Sequence, residues 1–465
     1  MKTNKSIICL LLAVSLLLSL SLSVSAAEID LNTVLESALE NNNTLQAARE
    51  KLKAAEMQKK SAETIMNSKL TGELSWRDEE LTEDGDIFTT IEYSKFLAES
   101  SSTESQLDKA ELRYYIAELE FNKKREEVLG NVIKQYYKLL KIEALVSNQK
   151  QAVKEAEAIY QDAEKRFADN LITEAELLRM EINMDKNREK LQSIESDRIK
   201  ASEQFSLLTG IDTDQLNLKD NNLINAQSDL YFKKNELLEL AYQNRTDYQI
   251  QQLNSDLIKA DIQYLKAAAD PVFSLGGEYL FEDGRIKTSL NSRYQFNLSG
   301  SADTRDQDEK YISLKDLQLL DESEWKVTAA LSYEFSDGGQ NKADVKAAEA
   351  GIKASEINLD NLESEIRIEL SSLLRELELT ELSLETAAKN LKRAELEYQS
   401  TKNRYQMGAV IESNLISAQR LLSDAETELT AAKYAVQLKK TEVLAAVENI
   451  YKSFNAGVLG GDSNE

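Results

Sequence analysis

The 465-residue chain has no histidine, one cysteine and one proline, and each shortage closes off a chemistry. Without histidine, the commonest general base and the commonest transition-metal ligand are both missing. The single thiol, Cys9, sits inside an N-terminal apolar run, with too little sequence ahead of it to be a lipidation site. Once that run is cleaved, no disulfide or thiolate metal site remains. Positive charge is also short, with 56 Lys and Arg against 81 Asp and Glu and a formal net charge of −25. Such a chain repels nucleic acid rather than collecting it. Past the N-terminal run, no window is apolar enough for a membrane-spanning helix. An enzyme built on paired carboxylates has no support beyond the abundance of Asp and Glu, most of which suit solvated helix faces. The expectation is a protein that is not an enzyme and needs neither cofactor nor metal.

What is present begins with an export signal. Lys2 and Lys5 precede an apolar and serine run from Ile7 to Val24, and Val24-Ser25-Ala26 places small residues where signal peptidase cuts, after Ala26. Removing residues 1–26 takes away two lysines and no acid, so the charge becomes −25 − 2 = −27.

The mature chain is a duplication. Adding 238 to Glu118–Leu178 lands on Glu356–Ile416 without a gap, and an apolar residue recurs every seven positions in both copies. The first ladder is Val132, Leu139, Val146, Val153, Tyr160 and Phe167; the second is Leu370, Leu377, Leu384, Leu391, Tyr398 and Tyr405. A seven-residue step keeps one stripe on one side of a long helix and wraps it left-handed around its neighbours. Both ladders stop at a turn whose equivalent residues are Asn170 and Gly408, the types that best tolerate the left-handed backbone ending a helix. Each copy is therefore a helical hairpin. A helix over Leu31–Ser68 has its own partner at an offset of 203, pairing Ala38 with Ala241 and Asn41 with Asn244. The chain accordingly divides into the signal 1–26, a first repeat 27–211, a connector 212–234, a second repeat 235–453 and a tail 454–465.

Between the first helix and the hairpin of each copy the period falls to two. Leu74 and Trp76 alternate with Glu73, Ser75 and Arg77, and after a turn at Glu83-Asp84-Gly85 the alternation resumes at Ile87, Thr89, Ile91 and Tyr93. In the second copy Phe273, Leu275, Gly277, Tyr279 and Phe281 share one face of a strand. Trp325, Val327, Ala329, Leu331, Tyr333 and Phe335 share a face of another. Strands of about 9–11 residues with this alternation and terminal aromatics suit a lipid-facing barrel wall, and a half-buried soluble sheet shows the same alternation. Two strands per half cannot close on themselves, so a barrel requires several chains.

Signal, duplicated helix–strand–strand–hairpin order, the corner Phe335-Ser336-Asp337-Gly338-Gly339 and the tip Arg404-Tyr405-Gln406-Met407-Gly408 together resemble the TolC-type outer-membrane efflux proteins, over Leu31 to about Tyr451. The resemblance implies a mostly α fold with a membrane β-barrel portion. Three chains would form one duct, with an α-helical tunnel across the periplasm and a barrel in outer-membrane lipid. Its implied function is the exit channel of a tripartite efflux or type I secretion system, working with a periplasmic adaptor and an inner-membrane pump. The residues alone leave a second class open, a secreted structural or binding protein of coiled-coil hairpins.

Candidate sites follow from this layout. Tyr279, Phe281, Trp325, Leu331, Tyr333 and Phe335 are expected at the lipid boundary, with Leu331 in mid-strand. The tips Asn170-Leu171-Ile172 and Gly408-Ala409-Val410 are candidates for adaptor docking. Glu174 and Glu412, at one repeat position past each tip, are candidate entrance carboxylates, whereas Thr173-x-x-Glu176 fits a helix-capping box. The second copy carries 238 − 203 = 35 extra residues between Glu282 and Glu324. Part of them alternates through Ile286, Thr288, Leu290, Tyr294, Phe296 and Leu298, and Tyr311–Leu320 is another possible strand. Four strands per chain would give a twelve-strand barrel in a trimer and six would give eighteen; the resemblance favours four, with this insert near 283–324 as an extracellular hairpin or loop.

Overall fold

The computed structural model describes residues 28–77, 86–212, 217–219, 233–281, 284–303 and 325–455. The signal, the Glu83–Gly85 turn, most of the connector, Tyr311–Leu320 and most of the tail lie outside the described residues. Two compact units are present, and each draws on both repeats: Met1–Gln46, Arg125–Leu240 and Glu369–Glu465 form one, and Ala47–Lys124 with Ala241–Ile368 form the other.

The elements run β1 (Glu28–Ile29), α1 (Leu31–Asn41), α2 (Asn43–Glu63), β2 (Lys69–Arg77), β3 (Asp86–Phe96), α3 (Ser101–Ala168), α4 (Glu174–Thr209) and β4 (Asn217–Leu218). The second copy continues with α5 (Lys234–Asn244), α6 (Thr246–Ala268), β5 (Val272–Phe281), β6 (Gly284–Asn291), β7 (Gln295–Asp303), β8 (Trp325–Ser332), α7 (Gln340–Gln406), α8 (Glu412–Ala446) and α9 (Ile450–Asn455). The helix expected over 31–68 is two helices. At Asn42 the backbone turns extended, and the side-chain oxygen accepts the N–H groups of Thr44 (3.0 Å) and Leu45 (3.2 Å), starting α2 afresh. The offset of 203 carries Asn42 onto Arg245, which has the same extended backbone between α5 and α6.

In the first unit most ladder positions turn inward, Tyr160, Leu384 and Leu391 being half-buried and Phe167, the last of the first ladder, exposed. Val132, Leu139, Val146 and Val153 are buried, as are Leu370, Leu377, Tyr398 and Tyr405. The hairpins pack side by side: Gln419 Nε2 donates to the Ala152 carbonyl (3.4 Å) and Asn148 Nδ2 to Thr430 Oγ1 (3.1 Å). A core of Leu31, Val34, Leu35, Leu129, Ile133, Tyr136, Tyr137 and Phe205 seats α1 against the first hairpin.

Glu126, only 7% exposed, ties down the C-terminal helix. Its carboxylate accepts the N–H groups of Ile450 (2.8 Å) and Tyr451 (3.0 Å), while the Arg125 guanidinium lies 3.4 Å from the Tyr451 ring centre. Burial pushes the carboxyl up, and the two backbone donors pull it back. Glu126→Ala leaves the buried Ile450 donor and the part-buried Tyr451 donor without this acceptor, an expected loss of about 1–3 kcal/mol. A lowered Tm with early proteolysis after residue 446 is the result to look for; an unchanged Tm would show that α9 is held by other contacts.

The second unit joins the sheet to the neighbouring stretches of α2, α3, α6 and α7. Lys59 pairs with Glu111 (3.1 Å), Lys109 with Asp261 (2.5 Å), and the Tyr248 hydroxyl donates to Glu363 (3.0 Å), so these helices are stitched in sequence. Leaving the sheet, the chain makes the corner expected at residues 335–339. Gly338 and Gly339 take φ of 69° and 89°, and Asp337 accepts the N–H groups of Gly339 (2.8 Å) and Asn341 (2.7 Å) to start α7.

Candidate functional site

Among the described residues one sheet holds six strands in the order β2-β3-β7-β6-β5-β8, every neighbouring pair antiparallel. This corrects the expectation of four. The stretch Ile286–Leu298, expected to be at most one strand or part of an external loop, is the facing part of two strands, β6 and β7. Residues 304–324 lie outside the described residues.

Register sorts the side chains into rows. Gly72, Ile91, Gly300, Ile286, Tyr279 and Trp325 form one row across the six strands, and Leu70, Tyr93, Leu298, Thr288, Gly277 and Val327 form the next row on the same face. The row between them, on the opposite face, is polar throughout: Thr71, Glu92, Ser299, Lys287, Glu278 and Lys326. On that face Lys287 and Arg285 approach Glu278 at 3.4 and 3.9 Å. The apolar face is bare, with Leu74, Trp76, Ile91 and Val327 all exposed and Val327 at 79%. Among the described residues no element covers these apolar rows, which cross all six strands.

Four of the expected boundary residues stand in the sheet. Tyr279 and Trp325 are register partners with ring centres 4.7 Å apart, and Phe281 closes the β5–β6 register opposite Gly284. Leu331 is 69% exposed on the apolar face, but it is the penultimate residue of β8, opposite Phe273, and not in mid-strand. Tyr333 and Phe335 fall outside: β8 ends at Ser332, and their rings, 5.2 Å apart, project from the segment leading to the corner. Aromatic residues occur near both ends of individual strands: Trp76 and Trp325 lie next to or at the ends of β2 and β8 away from the helices, and Phe273 and Phe296 lie near the opposite ends of β5 and β7.

The two hairpin tips share a backbone. Asn170 has φ 59° and Gly408 φ 70°. Asn170 N–H donates to Phe167 O (2.9 Å) and Leu171 N–H to Arg166 O (2.8 Å); Gly408 N–H donates to Tyr405 O (2.9 Å) and Ala409 N–H to Arg404 O (2.8 Å). This is the Schellman arrangement, satisfying the carbonyls that a helix end leaves over. Leu171 is 71% exposed, Ile172 and Val410 are half-buried, and Ala409 is exposed.

The tips differ at the next residue. Thr173 and Ile411 occupy equivalent N-caps with the same extended backbone, but only Thr173 has a side chain that caps. Its Oγ1 accepts the Glu176 N–H (3.3 Å), and Glu176 accepts the Thr173 N–H (2.7 Å), which holds the Glu176 carboxyl below its ordinary value. Glu176 is therefore a capping residue. Glu174 and Glu412 open α4 and α8, the first exposed and the second half-buried. Beside Glu412 lies a contact that period-seven reasoning did not single out: the Arg166 guanidinium, bonded to Asp162 (2.9 Å), covers the buried Tyr405 ring at 4.3 Å and joins one tip to the other. Its only trace in the sequence is that Tyr405 replaces Phe167 at a ladder position where the hairpins meet.

The sequence matches the family model described as outer membrane efflux protein over residues 34–211 and 237–447. Among solved structures the fold is similar to VceC from Vibrio cholerae, with 15% identity, TM-score 0.67, and 90% of this chain and 96% of that one covered. It is also similar to a membrane protein from Pseudomonas aeruginosa, with 17% identity, TM-score 0.69 and 90% of each chain covered. The CmeC outer membrane channel of Campylobacter jejuni aligns with 16% identity and TM-score 0.65 over 93% of this chain and 90% of that one. No curated protein sequence matches the chain.

Proposed function

The chain belongs to the outer membrane efflux protein family, is a non-enzymatic outer-membrane channel extending into the periplasm, and we propose that three copies close one exit duct whose hairpin tips receive a periplasmic adaptor and an inner-membrane pump. The observation that carries this reading is the bare apolar face of the sheet, backed by a face whose central row is polar from strand to strand. A coiled-coil protein free in water has no use for such a face. Lipid tolerates no open strand edge, so the edges β2 and β8 call for further copies of the chain. Extraction of outer membranes with mild detergent is expected to yield heat-labile trimers; a monomer in the culture medium would overturn the reading.

Glu174 and Glu412 are proposed as entrance carboxylates. Three chains would gather six of them around the mouth, concentrating cations there. Neither residue is the capping group of its helix, a role that Thr173 and Glu176 fill in the first copy. The double variant Glu174→Gln with Glu412→Gln is expected to lower cation selectivity and weaken block by multivalent cations added from the tip side of a planar bilayer. Currents identical to those of the parent channel would show that these charges serve only the helix dipole.

A further inference from the structure

Strands β6 and β7 sit at the centre of the sheet rather than on its rim. β6 pairs with β5 from Ser274–Asn291 to Phe281–Gly284, and β7 pairs with β3 from Phe96–Gln295 to Phe88–Asp303, so both are matched over their length. Their turn lies at the end of the sheet where the helices attach. There Arg293 Nη2 donates to the Ala268 carbonyl at the end of α6 (3.1 Å), Ser292 N–H to Phe273 O (2.7 Å), and Leu97 N–H to Tyr294 O (2.8 Å). A loop hanging from the far rim would make none of these bonds. The apolar face also continues across the pair through Ile286, Leu290, Phe296 and Leu298.

Direction alternates across all six strands, so the edge strands β2 and β8 run opposite ways. β2 of one copy can then meet β8 of the next in antiparallel pairing, head to tail, until the ring closes. Closing β2 on β8 within one chain would leave six strands, fewer than the eight whose interior side chains already fill the space. Resting on the trimeric duct described above, we propose that three copies close an eighteen-stranded barrel in which β6 and β7 are wall. Barrel diameter grows roughly linearly with strand number, so the outer-membrane lumen is about 1.5 times as wide as four strands per chain would make it. At that size the barrel is an open aqueous channel, and the hairpin adds Arg285 and Lys287 to its polar lining.

Spin labels on single cysteines at Phe296, Asn297, Leu298 and Ser299, in full-length protein carrying Cys9→Ser and reconstituted as trimers in lipid nanodiscs, test this. Labels at 296 and 298 are expected to collide with oxygen dissolved in lipid, and those at 297 and 299 with an aqueous nickel chelate. Ile91→Cys and Glu92→Cys on β3 report on the wall itself. Alternation at 91 and 92 with uniform aqueous access at 296–299 overturns the eighteen-stranded barrel and leaves the duct standing. Loss of alternation on β3 as well overturns the duct. Electron cryomicroscopy of the same trimers is expected to show eighteen strands in cross-section, and twelve would refute the proposal.

Discussion

Arginine at Ile91 is expected to deplete the trimer from the outer membrane. Ile91 lies at the centre of β3, on the apolar face, with neighbours Gly72 and Gly300 across the register. An arginine at the middle of a lipid-facing strand costs about 2–4 kcal/mol, and a trimer bears that cost three times. Depth then grades the effect. Leu331→Arg, one residue from the end of β8 where the chain carries Tyr333 and Phe335, should cost only about 0–1 kcal/mol, because a charge there reaches the headgroups. Ser299→Arg, in the polar row, should be close to silent. The measurement is the yield of heat-labile trimer from washed outer membranes for the three variants. Equal yields would mean that the apolar face does not meet lipid.

Gly408→Trp is expected to abolish export while leaving the trimer intact. Gly408 has φ 70°, and a Cβ built on it meets nothing within 4 Å, so the substitution costs the left-handed backbone strain alone, about 1–2 kcal/mol. That is small for a chain whose core lies elsewhere, and the indole would stand out from the tip proposed above to receive the adaptor. Gly408→Asn is the control, because Asn170 holds the same conformation in the other copy. Asparagine should preserve both assembly and export. Substrate accumulation in cells, measured beside trimer level, decides the matter: export through a correctly assembled Trp variant would show that the tips are not the docking surface.

Much of this architecture was legible in the chain because it rests on short-range periods. The seven-residue ladders announced two long hairpins, and the equivalence of Asn170 with Gly408 placed the tips where the positive-φ residues lie. The two-residue alternation located β2, β3, β5 and β8, running past the end of the last. The errors came where a neighbouring segment, not the local pattern, decides. Asn42 ends α1 because its side chain can restart a helix while its amide donates to the Leu208 carbonyl (2.9 Å), a partner 166 positions away. Tyr333 and Phe335 keep the alternation of β8 but have no strand beside them, since β5 begins at Val272 opposite Ser332.

By itself the sequence determined the duplication, the hairpins, the absence of thiol and imidazole chemistry, and a wall of alternating strands, since each is carried by residue type at fixed spacing within one segment. Only the tertiary structure decided how many strands that wall contains and which way their turn points. Gln295–Asp303, read alone, is a weak strand of small polar residues; Gly300 and Ala302 belong to an apolar face only because register sets them beside Ile91 and Thr89. The turn that returns β6 into β7 depends on Tyr294 at φ 59°, a residue type that gives no warning of that conformation, and on hydrogen bonds to Leu97 and Phe273 that no local pattern contains. A strand is defined by the partners its backbone finds, and those partners are far away in the chain.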